Sequence, residues 1–186
     1  VYMLFPQIKT IFLSGYSDFS YVQTALKYQA ADYLLKPVQA AELSTSLLRA
    51  MQAIEQQQKK TPSLKVIIDL HRDSMITSSG MEYKVVSEID GQTCAQLMFV
   101  MGTNAGGKKH PNWKSNLNFA VNLQKNILSA YPTLMRPINL RKQRFNEQAT
   151  TGSMILECGT SGNTIQEAEV AIRAFGKKLA EQLTQE

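Results

Sequence analysis

The sequence predicts an α/β fold: a three-layer sandwich with a mostly parallel central sheet, flanked by helices, in one integrated domain. Short apolar runs alternate with amphipathic segments across short connections, the pattern of strands laid side by side by returning helices. At 186 residues and 44% apolar content the chain is long enough to bury a sizeable core. Several apolar runs are nearly continuous, as expected of strands covered on both faces.

Taken in order, Ile8 to Ser14 reads as a mostly buried strand after a Pro6 boundary. Asp18 can cap a helix with Val22, Ala25 and Leu26 on its apolar face. Asp32 to Lys36 is a second strand, stopped by Pro37. From Ala40 to about Gln58, Leu43, Leu47, Ala50, Met51 and Ile54 recur at helical spacing. Thr61-Pro62-Ser63 breaks this helix, and a strand follows from Leu64 to Leu70. Glu82 to Ile89 and Thr93 to Met101 read as strands joined by the turn residues Asp90-Gly91-Gln92. Asn112 is placed to cap a helix to about Tyr131, with Leu117, Ala120, Val121 and Leu128 inward. Short strands at Ile138 to Leu140 and Ser153 to Glu157 precede a final helix, begun by a Thr164/Glu167 capping box.

Composition excludes several classes. No run approaches the roughly 20 apolar residues of a membrane span. The opening Val-Tyr-Met-Leu-Phe has no basic n-region, so no secretory signal is visible, and the missing initiator Met suggests a fragment. Localisation is left undetermined. The net charge of +5 is spread out except at Lys108-Lys109, Arg141-Lys142 with Arg144, and Lys177-Lys178, which argues against nucleic-acid binding. Cys94 and Cys158 lie in apolar runs without metal-type spacing and read as buried free thiols. The methionines read as core filling and Trp113 as a helix-face anchor.

In parallel sheets, ligands gather beyond the carboxyl ends of the strands. That rule selects Ser14, Lys36, His71 and Glu157, each closing a predicted strand. By itself His71, in Asp69-Leu70-His71-Arg72-Asp73-Ser74, would be a hydrogen-bonded strand-end histidine, and Glu157 a solvated strand end. Together they also fit half of a zinc hydrolase site.

Residues 6 to about 57 carry a specific pattern in Leu13-Ser14-Gly15-Tyr16-Ser17-Asp18-Phe19 and Ala30-Ala31-Asp32-Tyr33-Leu34-Leu35-Lys36-Pro37. This segment resembles the second half of a response-regulator receiver domain. The resemblance implies that Ser14 is the switch hydroxyl, Tyr33 the switch aromatic and Lys36 the phosphate-pairing lysine, with a cis Lys36-Pro37 bond. The family's phosphoacceptor aspartate and metal-binding acids belong to strands this chain lacks, so phosphosignalling is not expected.

Residues 62 to 186 resemble the C-terminal part of the stage II sporulation protein P family, zinc-dependent N-acetylmuramoyl-L-alanine amidases acting on peptidoglycan. The resemblance runs through Asp69 to Ser74, Ala95 to Asn104, Asn112 to Ala120, Arg144-Phe145-Asn146 and Leu156 to Thr164. It implies that His71 is a zinc ligand and Glu157 the catalytic acid/base. The family's other ligands lie upstream, where this chain has receiver-like sequence, and only His71 and His110 exist in the whole chain. His110 sits in a Gly-Lys-rich loop.

The expectation is a recombined, engineered chimera of a receiver-like segment (1–60) and an amidase-like segment (61–186), folded as one domain, without retained activity or cofactor. Two alternatives stand beside it: a zinc amidase acting on peptidoglycan, and an anion-binding or interaction module with Ser14, Lys36 and His71 on its rim. A homodimer could form through the short receiver-derived sheet edge.

Overall fold

The computed structural model describes residues 65–184, the backbone of two earlier strands, and the single residues Gln23, Lys27 and Gln52. The chain divides into two compact units, 1–64 and 65–186. In the first, β1 (Ile11–Ser14) and β2 (Asp32–Leu35) pair in parallel, with Phe12 opposite Tyr33 and Ser14 opposite Leu35. Gln23, Lys27 and Gln52 are helical and exposed. The helix capped by Asp18, the helix over 40–58 and the Lys36-Pro37 bond otherwise lie outside the described residues.

The second unit runs β3 (Val66–Asp73), a hairpin of β4 (Val86–Ile89) and β5 (Gln92–Ala95), β6 (Leu97–Gly102) and α1 (Trp113–Ala130). Then come β7 (Asn139–Arg141), a 3-10 turn (Glu147–Ala149), β8 (Gly152–Thr160) and α2 (Ile165–Thr184). The main sheet has the order β3-β8-β6-β7. β3 is parallel to β8 and β6 to β7, while β6 and β8 are antiparallel. The sheet is therefore mostly parallel, as expected, with one reversed pair at its centre.

Alternation along the strands sorts the two faces. Met154 and Leu156 from β8 and Leu97, Phe99 and Met101 from β6 are almost fully buried. They join Phe119, Leu123 and Ile127 of α1 and Ala171, Phe175 and Leu179 of α2 in one apolar cluster. Phe99 and Phe175 meet edge to face, centroids 6.2 Å apart. The inner face of α1 is Asn116, Phe119, Ala120, Leu123 and Ile127. That is one position round from the expected stripe, of which only Ala120 is fully buried and Leu117 and Leu128 pack at its edge. Methionine is not uniformly core: Met101 and Met154 are buried, whereas Met75 and Met81 are 40% and 61% exposed.

Three boundaries differ from expectation for identifiable reasons. The run Thr93 to Met101 is two strands, because backbone pairing changes partner at Gln96. Gln96 N–H donates to Val85 on the hairpin side, and Leu97 N–H donates to Leu134. Only Val86 to Ile89 of the run from Glu82 joins the hairpin. Its turn carries positive φ at Asp90 (51°) and Gly91 (76°), the backbone twist that suits a two-residue hairpin. Asn112 precedes α1 but makes no capping bond; its Nδ2 donates to the Gln148 carbonyl at 3.0 Å instead. The Thr164/Glu167 box forms as read: Thr164 N–H donates to Glu167 Oε2 at 3.0 Å, and Glu167 N–H to Thr164 Oγ1 at 3.1 Å.

Candidate functional site

Parallel pairing of β3 with β8 places His71 directly opposite Glu157. Neither residue closes its strand. β3 runs on to Asp73 and β8 to Thr160, because pairing resumes beyond a register shift between His71 and Asp73. Leu156 and Met154 face the helices, so Glu157, His71 and Asp69 belong to the opposite face by the two-residue strand period. On that face Asp69 Oδ1 lies 2.9 Å from His71 Nε2, two residues along the same strand. Past the irregularity, Asp73 Oδ2 accepts from Arg136 Nη2 at 2.9 Å. Arg136 is positioned by its own backbone, whose N–H donates to Leu97 O at 2.7 Å beside the start of β6.

Glu157 stands among these groups half-buried, flanked in register by His71 on β3 and Met98 on β6. Its Oε2 is buried and has no hydrogen-bond partner among the described residues. Burial raises its pKa above the usual carboxylate value, and Asp73 and Asp69 add to the rise, while His71 and Arg136 oppose it. A carboxyl whose pKa is raised in this way is a candidate acid/base group.

The loop after β8 is held from several sides. Arg72 Nε donates to Thr160 O at 2.7 Å, and its Nη2 donates to Asn163 O. Asn163 Oδ1 accepts from Thr160 N–H at 2.9 Å and Val85 N–H at 3.2 Å, while its Nδ2 donates to Val85 O and Glu167 Oε2. Glu167 is drawn down to about 2, chiefly by the Lys84 ammonium 2.7 Å away, with the Thr164 N–H and Asn163 adding to it. This network fixes the end of β8, and with it the backbone that carries Glu157.

A second buried pair had no signal in the sequence. Glu147 lies in a polar run and His110 in the Gly-Lys-rich loop, yet they are only 3% and 2% exposed. Where the β6/β8 ladder ends, Glu147 Oε2 accepts from Gly102 N–H at 2.8 Å, and Ile155 N–H also faces the carboxyl. Burial pushes Glu147 up to about 7. His110 Nε2 is 3.9 Å from Glu147 Oε2, neither ring nitrogen has a hydrogen-bond partner among the described residues, and burial, with Arg144 nearby, lowers the imidazole pKa.

The structure thus joins His71 to Glu157 and adds Asp69, Asp73 and Arg136. Ser14 ends β1 and Tyr33 lies within β2, both in the first unit; Lys36 is outside the described residues. Among the described residues, no three His, Cys, Asp or Glu side chains are placed to hold a metal ion. These residues therefore do not by themselves form a zinc site, which takes three protein ligands in hydrolases. No described helix is long and apolar enough to cross a membrane.

The family model of stage II sporulation protein P matches residues 30–180. The chain belongs to the stage II sporulation protein P family. The match takes in the whole His71/Glu157 site and begins inside the receiver-like segment, upstream of the expected junction near residue 62. Stage II sporulation protein P of Bacillus subtilis is 27% identical over 124 residues, 64% of this chain, and the chain spans 28% of that protein. Two regulators are also similar. Uncharacterized transcriptional regulatory protein YesN of Bacillus subtilis is 36% identical over 67 residues, 34% of this chain and 18% of that protein. Transcriptional regulatory protein HptR of Staphylococcus aureus is 40% identical over 50 residues, 27% of this chain and 20% of that protein. The chain therefore combines similarity to both groups. Among solved structures, N-acetylmuramoyl-L-alanine amidase AmiC2 of Nostoc punctiforme aligns at 10% identity with a TM-score of 0.46, covering 96% of this chain and 98% of that chain.

Proposed function

We propose that the chain is a recombined α/β protein whose second unit keeps part of an N-acetylmuramoyl-L-alanine amidase site and does not hydrolyse peptidoglycan by itself. In this reading His71 is an inherited zinc ligand without its companions, and Glu157 an inherited acid/base without a metal-bound water to act on. The supporting observation is the supply of ligands around the in-register His71/Glu157 pair. The chain has two histidines, and the second, His110, is buried against Glu147. A single imidazole holds zinc weakly, and Asp69 already engages His71 Nε2. Membership of the stage II sporulation protein P family favours a second reading, a residual zinc amidase.

Elemental analysis of the purified full chain, with His71→Ala beside it, separates the two readings. The first predicts zinc well below one ion per chain, unchanged by His71→Ala, and no release of peptide from purified peptidoglycan. Stoichiometric zinc that depends on His71, together with cleavage abolished by Glu157→Ala, would establish the second and refute the first.

A further inference from the structure

Two of the basic clusters separated in the sequence meet in the fold. The loop after β6 and the chain from the end of β7 onward are joined through their backbones. Thr103 N–H donates to Arg141 O at 3.0 Å, Gly106 N–H to Lys142 O at 3.0 Å, and Arg144 Nη1 to Lys109 O at 3.4 Å. The approach is close enough to require glycine. A Cβ on Gly106 would stand 2.5 Å from Lys142 O, and one on Gly102 2.5 Å from Gln143 O. Lys108 and Lys109 are thereby brought beside Arg141, Lys142 and Arg144, with Lys114 following in the first turn of α1. Five of these six cations are exposed and Arg144 is half-buried. Neither stretch, 103–116 or 139–146, contains an acidic residue. Among the described residues none of the six forms an ion pair.

Two exposed apolar residues lie in the second stretch. Leu140 is 53% exposed and Phe145 37% exposed. Phe145 has φ of 50° and Asn146 of 63°, so the aromatic residue sits on left-handed backbone that such residues rarely adopt. A phosphate polymer would satisfy the cations and leave Leu140 in water. The interface of an anionic bilayer offers phosphate headgroups for the cations and an acyl boundary for Leu140 and Phe145.

We propose that the paired segments 103–110 and 140–146 form a docking surface for an anionic phospholipid bilayer, with Lys108, Lys109, Arg141 and Lys142 on the headgroups and Phe145 at the acyl boundary. This surface is independent of whether the His71/Glu157 site is active.

Co-sedimentation of the full chain with vesicles tests it. Binding is expected on phosphatidylcholine vesicles containing phosphatidylglycerol, and not on phosphatidylcholine alone. Each cation near such a surface contributes about fivefold, so Lys108→Gln/Lys109→Gln/Arg141→Gln should weaken partitioning about a hundredfold. Lys65→Gln/Lys125→Gln/Arg173→Gln removes the same charge from exposed positions outside both segments and should retain binding. Phe145→Ala should weaken vesicle binding and leave any binding to duplex DNA unchanged. Absent vesicle binding, equal loss in both triple variants, or tighter binding to duplex DNA that ignores Phe145→Ala would each overturn the proposal.

Discussion

Glu147→Gln isolates the charge buried where β6 and β8 part. The Glu147 carboxyl faces two backbone N–H groups, Gly102 at 2.8 Å and Ile155, which favour its ionised form. Burial outweighs them, Asp69 adds a like charge, and the pKa stands at about 7 against 4.5 for an ordinary glutamate. His110 does not offset this, because burial and Arg144 lower its own pKa and disfavour the charged imidazole. The folded protein therefore holds the Glu147 proton more tightly than the unfolded chain does. The stability this confers is fully present below about pH 4.5 and is lost as pH rises through about 7. At roughly 1.4 kcal/mol per pH unit, the interval corresponds to about 3 kcal/mol. Glutamine has almost the same shape and keeps a carbonyl oxygen for Gly102, but it cannot ionise. Urea unfolding followed by fluorescence of Trp113, the chain's single tryptophan, reads this region. Trp113 opens α1 beside Asn112, which binds the Gln148 carbonyl. Between about pH 5 and about pH 8.5, the wild type should lose up to about 3 kcal/mol more than Glu147→Gln does. Parallel pH dependences for the two proteins would refute the reasoning, as would a Gln variant that is no more stable than the wild type at the higher pH.

Thr164→Ala removes the acceptor of the Glu167 N–H and should cost about 1 kcal/mol in the same urea assay; a change indistinguishable from zero would mean that the capping box does not hold the start of α2. Cys94 and Cys158 are 0% and 6% exposed, and burial raises both thiols, Cys158 to about 12. Ellman's reagent at neutral pH should therefore find no rapidly reacting thiol from either residue in the native chain and both after denaturation; prompt labelling of the native protein would contradict the burial.

Some elements were legible because their causes are local. The Asp90-Gly91 turn and the Thr164/Glu167 box each depend on a few neighbouring residues, and each was found where the pattern put it. The two cysteines are buried and free, as their apolar surroundings implied. Elsewhere the decisive partner was distant. Nothing within Thr93 to Met101 announces that pairing passes from Val85 to Leu134 at Gln96. Asn112 has the chemistry of a cap, but Gln148, 36 residues away, takes its side chain.

The His71 and Glu157 pair divides along the same line. Residue type, flanking strands and family resemblance picked out both positions from the sequence alone, because strand period and motif order are local properties of the chain. That the two stand opposite each other was decided by the parallel register of β3 and β8, which are separated by four strands and a helix in the chain. Register likewise brought Asp73 and Arg136 toward Glu157. The burial of Glu147 with His110, and the meeting of Lys108 and Lys109 with Arg141, Lys142 and Arg144, also come from tertiary contact alone. Side-chain type sets what a residue can do; packing sets which charges lose water and which stand together in it.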